Sequence, residues 1–173
     1  MLPHIQSNTP KDEKDFFETP PQELEQLSLL YGPFLVDLFA NEKNHKFPLW
    51  FGPNSPLGIM DTFNQEWVHE NLPMGFHAFG NPPYSRGKVA QAIEVAYKYA
   101  LLGIAQTTLL SPVSSDQRWF HRYVWNNYSN SPYPNVEIFF FARRIPFIRP
   151  NGQRANNPTS PSMAVTFFPA LER

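Results

Sequence analysis

The sequence predicts an α/β fold with a mostly parallel sheet, and two observations carry this prediction. Short apolar segments typical of buried strands alternate with segments whose apolar residues recur at helical spacing, in the order strand, helix, strand, helix, strand. The last two strand segments are close enough in sequence to pair antiparallel. A chain of 173 residues, of which 42% are hydrophobic and 16% aromatic, is sufficient for one packed domain.

Local signals define the first elements. Residues 1–15 are expected to form a flexible arm ahead of a single domain over residues 16–173. A helix is predicted over residues 19–32, because Thr19 can cap it, two prolines follow at its first positions and a glycine ends it. Residues 33–40 are almost continuously apolar, which is typical of a strand buried on both faces.

The remaining elements alternate more regularly. Residues 41–75 are rich in Asn, Pro and Gly and are expected to be irregular. After them we predict strands over residues 75–80, 107–113, 136–145 and 162–168, and helices over residues 86–102 and 114–127.

The composition excludes several classes of protein. The chain has no cysteine, which excludes disulfides and thiolate zinc sites, and its histidines lack the spacing of metal ligands. No apolar run approaches the roughly 20 residues of a membrane helix. No GxxxxGK phosphate-binding loop is present. We therefore expect a soluble intracellular protein that binds no metal and no membrane.

The charge is distributed unevenly. Up to Ser85, four Lys and Arg oppose eleven Asp and Glu, a net charge of −7. From Arg86 onward, ten Lys and Arg oppose four Asp and Glu, a net charge of +6. A basic second half can hold a polyanion on one face, although an unevenly charged solvated surface gives the same count.

The motif NPPY (residues 81–84) follows the predicted strand over residues 75–80. In an open α/β sheet, ligands bind outside the carboxyl ends of the strands. The side-chain oxygen of Asn81 and the carbonyl of Pro82 are two neighbouring acceptors, and Pro83 restricts the direction of the second. Tyr84 adds a flat ring. Two acceptors and a stacking face suit a planar group that carries an exocyclic amine.

An aromatic amine is a poor nucleophile because its lone pair is delocalised. Acceptors that hold both of its hydrogens favour the pyramidal nitrogen of a transition state for attack on a methyl sulfonium. The motif NPPY resembles the catalytic motif of amino-methyltransferases that use S-adenosylmethionine.

Further segments extend the resemblance over about residues 16–169. FFETP, FLVDLFANEKN, MDTFNQEW, FGNPPYS, LLSPVSSDQRWF, ARRIPF and SMAVTFF occur in that order. Together they resemble the small phage-type DNA N6-adenine methyltransferases, the Dam-like family of bacteriophages and prophages. The resemblance implies a compact Rossmann-like methyltransferase fold, S-adenosylmethionine as methyl donor, adenine in DNA as acceptor, and the cytoplasm of a bacterial host.

The resemblance also implies roles for individual residues. The catalytic motif corresponds to Asn81, Pro82, Pro83 and Tyr84, and the cofactor-binding residues to Phe17, Thr19, Pro20, Asp37, Phe39, Ala40 and Asp61. Of these, Asp37, Phe39 and Ala40 would lie beside the methionine part of the cofactor. That part would be closed over by Phe17, Thr19 and Pro20, and Asp61 would contact the adenine amine of the cofactor. Many methyltransferases have a glycine-rich turn after the first-strand acid, but DLFANEKN has no glycine, so the cofactor loop is expected to differ.

The segment ARRIPFIRPNGQR (residues 142–154) is the candidate DNA-binding surface. A duplex hides the adenine amine, so the target nucleotide must be flipped out. Phe147 would face Tyr84 across the flipped base, while arginines hold the backbone phosphates. The alternative is that Phe147 caps the core and the arginines are solvated. The nucleic-acid-binding candidates are Arg143, Arg144, Phe147, Arg149 and Arg154.

Two alternatives remain open at this stage. The same chemistry suits other planar amines, namely RNA adenine, cytosine N4 or a protein glutamine amide. A catalytically inactive relative that only binds nucleic acid is also compatible with the absent glycine turn, although the intact NPPY motif argues against it.

Overall fold

The computed structural model describes residues 15–155 and 160–170, so the predicted arm over residues 1–15 lies almost wholly outside the described residues. The helices are α1 (Pro21–Tyr31), α2 (Lys88–Leu101) and a π-helix (Phe120–Val124). The strands are β1 (Val36–Asp37), β2 (Leu49–Trp50), β3 (Phe76–Gly80), β4 (Ala105–Pro112), β5 (Trp125–Asn126), β6 (Ser131–Pro132), β7 (Val136–Phe140) and β8 (Ser162–Phe167).

Six strands form one sheet in the order β2-β1-β3-β4-β8-β7. β2, β1, β3 and β4 are mutually parallel, whereas β8 is antiparallel to both β4 and β7. The structure therefore confirms the α/β class, the mostly parallel sheet and the antiparallel last strand. β5 and β6 form a separate hairpin.

The sheet is covered on both faces. Neighbouring residues of one strand belong to different hydrophobic clusters: Leu109 packs with α2 on one face, and Leu110 packs with α1 on the other. Every residue of β8 is buried. Burial on both faces explains why these strands appear in the sequence as continuous apolar runs without alternation. In the part of the chain that the structure describes, no helix is long and apolar enough to cross a membrane.

The predicted strand over residues 33–40 is much shorter than expected. Only Val36–Asp37 pairs in the sheet. The Asp37 carboxylate accepts hydrogen bonds from the backbone N–H groups of Phe39 and Lys46, and these bonds turn the chain out of the sheet. In the sequence, this turn is indicated by Asp37 inside an apolar run. Its side-chain oxygens compete with a neighbouring strand for backbone N–H groups.

The helix predicted over residues 114–127 is much shorter than expected. Only residues 118–124 are helical, of which Phe120–Val124 form a π-helical turn, and Trp125 is already extended. The rings of Phe120 and Trp125 stack with centroids 6.2 Å apart, a contact that requires the chain to fold back. The following Asn126 accepts the N–H of Tyr128 through its side chain, which favours a turn over a helix.

Candidate active site

Asp37 and Asn81 lie at the carboxyl ends of two adjacent parallel strands. β1 and β3 pair with Asp37 opposite Phe79, so Asn81 lies two residues beyond the level of Asp37. β1 is also the strand at which the strand order reverses, since β2 lies on one side of it and β3 on the other. Open α/β sheets bind ligands at such a position.

The ring of Phe39 lies on Gly80, the residue before the NPPY motif. A Cβ atom added to Gly80 would lie 3.0 Å from two ring carbons of Phe39 and 2.7 Å from the Leu109 side chain. At these distances an added methyl group would displace the Leu109 side chain and press on the Phe39 ring, so this close approach favours glycine. Phe39, just after the first strand, is thus in contact with the residue directly before the NPPY motif.

Asp37 is a buried carboxylate, 5% exposed. Its Oδ1 accepts the N–H of Phe39 at 3.3 Å and its Oδ2 accepts that of Lys46 at 3.1 Å. Burial raises the pKa of Asp37 to about 6, against the opposing effect of the two N–H donors. A carboxylate has about four acceptor positions, so Asp37 retains capacity for a cationic ligand, which would favour its ionised form.

Asp61 lies in a turn that is tied to the end of β1. Its carboxylate accepts the N–H of Phe63 at 2.8 Å and the side-chain N–H of Asn64 at 2.7 Å, and the Asn64 bond is the main reason why its pKa is lowered. The Thr62 hydroxyl donates to the Leu38 carbonyl. The structure therefore brings Asp61 to the first strand, with much of its acceptor capacity used within the turn.

Residues 15–20, here called the strap, lie across the NPPY motif. The Asp15 carboxylate accepts the N–H of Ser85 at 3.0 Å, and the Phe17 carbonyl accepts the side-chain N–H of Asn81 at 2.9 Å. Glu18 forms an ion pair with Lys46, whose backbone N–H binds Asp37. The strap thus connects the end of the first strand to the NPPY motif.

The bond to Phe17 determines the orientation of the Asn81 amide. A backbone carbonyl can only accept, so the amide presents its Nδ2 to Phe17. Its Oδ1 is thereby left available as an acceptor. This is the atom that the sequence assigns to the amine of the substrate.

Two hydroxyls of the predicted site are buried without a hydrogen-bond partner among the described residues. They are Thr19 Oγ1, in a residue that is 3% exposed, and Tyr84 Oη. Burial raises the pKa of the Tyr84 phenol far above its usual range. Because an unpaired buried polar group is costly, Thr19 is a candidate to bind a polar group of a ligand.

Phe147 is next to Tyr84, as the sequence predicts, but the two rings meet edge to face. Their centroids are 6.1 Å apart and their planes are inclined by 88°. Phe147 is buried in the cluster on the α1 face of the sheet. Paired backbone hydrogen bonds of 2.8 and 2.9 Å between Glu18 and Ile148 fix this segment against the strap. A base between parallel rings would require one ring to rotate.

Arg143 and Arg149 of the candidate DNA-binding segment have different surroundings. Arg143 points to α1, where it donates to Gln22 at 3.2 Å and approaches the buried Glu23 at 3.9 Å. These residues line a cleft of about 410 Å³ between α1 and β7, and no residue of the NPPY motif is among its lining residues. Arg149 is half-buried, and its Nε has no hydrogen-bond partner within the described chain.

Sequence reasoning missed the residues that hold the strap. Asp15, Glu18 and Lys46 lie close to other charged residues in polar segments, and no spacing distinguishes them from solvated ones. Their partners are 28 to 70 residues away in sequence. Within residues 15–155 and 160–170, no group of three or more His, Cys, Asp or Glu is arranged to hold a metal ion.

Comparison with known families agrees with the geometry. The model of a family described as DNA N-6-adenine-methyltransferase (Dam) matches residues 6–172, nearly the whole chain. No curated protein matches the chain, and no solved structure does.

Proposed function

The chain belongs to the Dam family of DNA N-6-adenine-methyltransferases, and from this premise we propose that it transfers a methyl group from S-adenosylmethionine to the N6 amine of a specific adenine in DNA. In this proposal the domain is a Rossmann-like methyltransferase that works in the cytoplasm of a bacterial host, where its DNA substrate is found. Asn81 and Pro82 bind the amine of the flipped adenine, and Tyr84 stacks on its ring.

A single observation supports this assignment most strongly. The Phe17 carbonyl fixes the Asn81 amide so that Oδ1 remains an acceptor, at the end of the strand next to the one that carries the buried Asp37. An acceptor for an amine and an anion for a cationic methyl donor are therefore at adjacent strand ends. That arrangement suits methyl transfer to nitrogen, and a catalytically inactive binding protein has no need of it.

The acceptor atoms act on the lone pair of the adenine amine. In free adenine the lone pair is delocalised into the ring and the amine is nearly planar. Hydrogen bonds from its two N–H groups to Asn81 Oδ1 and the Pro82 carbonyl favour a pyramidal nitrogen, whose lone pair can attack. Because the strap already holds Asn81, no reorganisation is needed at the moment of reaction. The surplus proton leaves the amine after transfer.

The residues around Asp37 fit S-adenosylmethionine. When bound, this cofactor supplies an electrophilic methyl group on a cationic sulfonium. The buried Asp37 carboxylate would bind the α-ammonium group of the methionine part, and the unpartnered Thr19 hydroxyl would gain a hydrogen bond. The methionine part would be enclosed by Phe17, Pro20, Phe39 and Ala40. Asp61 would accept a hydrogen bond from the adenine amine of the cofactor.

The DNA-binding part of the proposal concerns residues 142–154. Phe147 contacts Tyr84 already, so rotation of one ring would create a slot for a flipped base. The phosphates of the distorted DNA backbone would be bound by Arg143, Arg144, Arg149 and Arg154. Removing the Arg143 and Arg144 guanidinium groups should then lower the dependence of DNA affinity on salt.

The experiment that tests the function uses methyl-labelled S-adenosylmethionine with separate DNA, RNA and protein pools. We expect label in DNA, and recovery of N6-methyladenine after digestion to nucleosides. Asn81→Ala is the matched control and should incorporate no label. Label in N4-methylcytosine, in RNA alone or in protein alone would contradict the proposal, and so would full activity of Asn81→Ala.

A further inference from the structure

The β5–β6 hairpin ends in a fully exposed aromatic ring. Tyr128, between the two strands, has a relative exposure of 103%, and its neighbours Asn127, Ser129 and Asn130 are exposed as well. We propose that this tip, residues 127–130, enters a groove of duplex DNA and contacts base edges beside the methylated adenine. The inference rests on the proposed function and adds the surface that would determine the recognition sequence.

The base of the hairpin is firmly anchored. Trp125 stacks on Phe120, and the N–H of Tyr133 donates to the Val124 carbonyl at 3.0 Å. Val124 is completely buried, and Tyr123 donates through its hydroxyl to Glu94 of α2 at 3.0 Å. An anchored base can present a tip in one orientation, which base contacts require.

The tip has no packing role that would explain its composition. Its turn is held by its own polar groups: the Ser129 and Ser131 hydroxyls lie 2.9 Å apart, and the Asn126 side chain accepts the N–H of Tyr128 at 2.9 Å. Asn130 has a left-handed φ of 50°. An exposed tyrosine in such a turn gains nothing for the fold, because its ring is left in water.

The chemistry of the tip suits a DNA groove. A two-stranded β-ribbon fits the major groove, where an Asn side chain can form a bidentate contact with adenine. Serine and tyrosine hydroxyls donate to phosphates. The tip carries no acidic residue, and in the segment before it the exposed Arg118 and Arg122 outnumber the exposed Asp116. A polyanion is therefore a better partner for this surface than an acidic or neutral protein.

The segment before the hairpin leaves the edge of the sheet that carries the candidate active site, whereas the chain after it leads to Val136, which is level with Thr107 toward the opposite edge. β4 is parallel to β3, so its end at Pro112 lies at the same edge as Asn81. His121 links the next segment to the tip, since its ring nitrogens lie 2.6 Å from the Ser115 carbonyl and 3.0 Å from Asn127 Oδ1. The base of the hairpin packs in the cluster on the α2 face, so a duplex bound over the NPPY motif would meet the tip where it continues along that face.

The test compares Tyr128→Ala and Asn130→Gly in the full chain with the matched control Leu29→Ala. Leu29 is a large exposed apolar residue on α1, and glycine keeps the left-handed φ of residue 130 while removing its amide. Anisotropy of a labelled duplex gives DNA affinity. Sequencing of methylated adenines in a randomised duplex library gives the preferred flanking bases, and calorimetry gives S-adenosylmethionine affinity.

We expect Tyr128→Ala to lower affinity for the preferred duplex by at least about fivefold, and Asn130→Gly to relax the preference at one flanking base. Leu29→Ala should retain both properties, and all three variants should bind S-adenosylmethionine like the unmodified chain. If the unmodified chain methylates DNA but both tip variants keep its affinity and flanking preference, the hairpin proposal alone is overturned. If the unmodified chain neither binds nor methylates DNA, both proposals are overturned.

Discussion

The side-chain amide of Asn81 donates a hydrogen bond of 2.9 Å to the backbone carbonyl of Phe17, 64 residues earlier in the chain. The contact joins the segment proposed to close over the cofactor with the residue proposed to bind the substrate amine. Occupation of one site would thus help to order the other. Without the strap, the Asn81 amide could rotate and present either its nitrogen or its oxygen.

Asn81→Asp tests the need for a donor at this position. Aspartate keeps the acceptor oxygens but loses the N–H that binds Phe17, so an ionised carboxylate would face a carbonyl oxygen. We expect slower methyl transfer, by about 1–3 kcal/mol of activation free energy, together with weaker cofactor binding, because the strap loses its bond to Asn81. Asn81→Ala removes both the N–H donor and the acceptor oxygen and should abolish turnover. Single-turnover kinetics and calorimetry distinguish the cases, and an Asn81→Asp variant as fast as the native chain would show that the Phe17 bond is dispensable.

The Glu18–Lys46 ion pair should affect cofactor binding more than stability. Its side chains are 30% and 27% exposed, so the pair itself contributes at most about 1 kcal/mol. Lys46→Glu should loosen the strap and raise the KM for S-adenosylmethionine, with a small change in Tm. The double variant Glu18→Lys, Lys46→Glu restores opposite charges and should recover most of the affinity. Failure of the double variant to recover would mean that the ion pair does not hold the strap.

Asp37 should make stability and cofactor affinity depend on pH in opposite directions. Burial raises its folded-state pKa from 3.8 to about 6. The folded chain therefore binds more protons than the unfolded chain between these values, and stability should fall by up to about 3 kcal/mol as pH rises from 4 to 6. Ionisation favours a cationic ligand, so affinity for S-adenosylmethionine should rise over pH 5–7.

Asp37→Asn is the control for both effects. Asparagine does not titrate, so the affinity profile measured by calorimetry and the Tm profile should both become flatter over this range. An affinity that falls between pH 5 and 7 in the native chain would place the cofactor's cationic end elsewhere.

Gly80→Ala should strain the contact between Phe39 and the end of β3, directly before the NPPY motif. The added methyl group would meet the Phe39 ring and the Leu109 side chain at 3.0 Å or less, at a cost of about 1–3 kcal/mol in unfolding free energy. Phe39→Leu frees space at that position, so the double variant should lose less stability than the sum of the single ones. Denaturant unfolding of all four proteins measures the coupling, and strict additivity would contradict the contact.

The sequence predicted the parts of this molecule that depend on local pattern. The sheet class, α1, α2 and the position of NPPY after a strand all follow from periodicity and from the strand-end rule. The π-helix and hairpin did not follow, because the Phe120–Trp125 stack outweighs a helix-like pattern. The strap contacts could not follow either, since single polar residues distant in sequence carry no signal of their pairing.

Two variants of Tyr84 separate the contribution of its ring, through stacking, from that of its hydroxyl, through hydrogen bonding. Its hydroxyl is buried and has no partner among the described residues, so Tyr84→Phe removes an unsatisfied group and should keep or slightly raise stability. Stacking needs only the ring, so Tyr84→Phe should also retain most activity. Tyr84→Ala loses the ring and should weaken transition-state binding by about 1–3 kcal/mol.

Fluorescence of 2-aminopurine at the target position reports whether the flipped base is stacked. We expect it to remain quenched with Tyr84→Phe and to brighten with Tyr84→Ala, in which the base has no ring to stack on. Phe147→Ala should have an intermediate effect, since Phe147 meets Tyr84 edge to face and must share any slot formed by ring rotation. Quenching that survives Tyr84→Ala would assign the stack to another ring, and a severe loss of activity in Tyr84→Phe would give the phenol a role in the reaction itself.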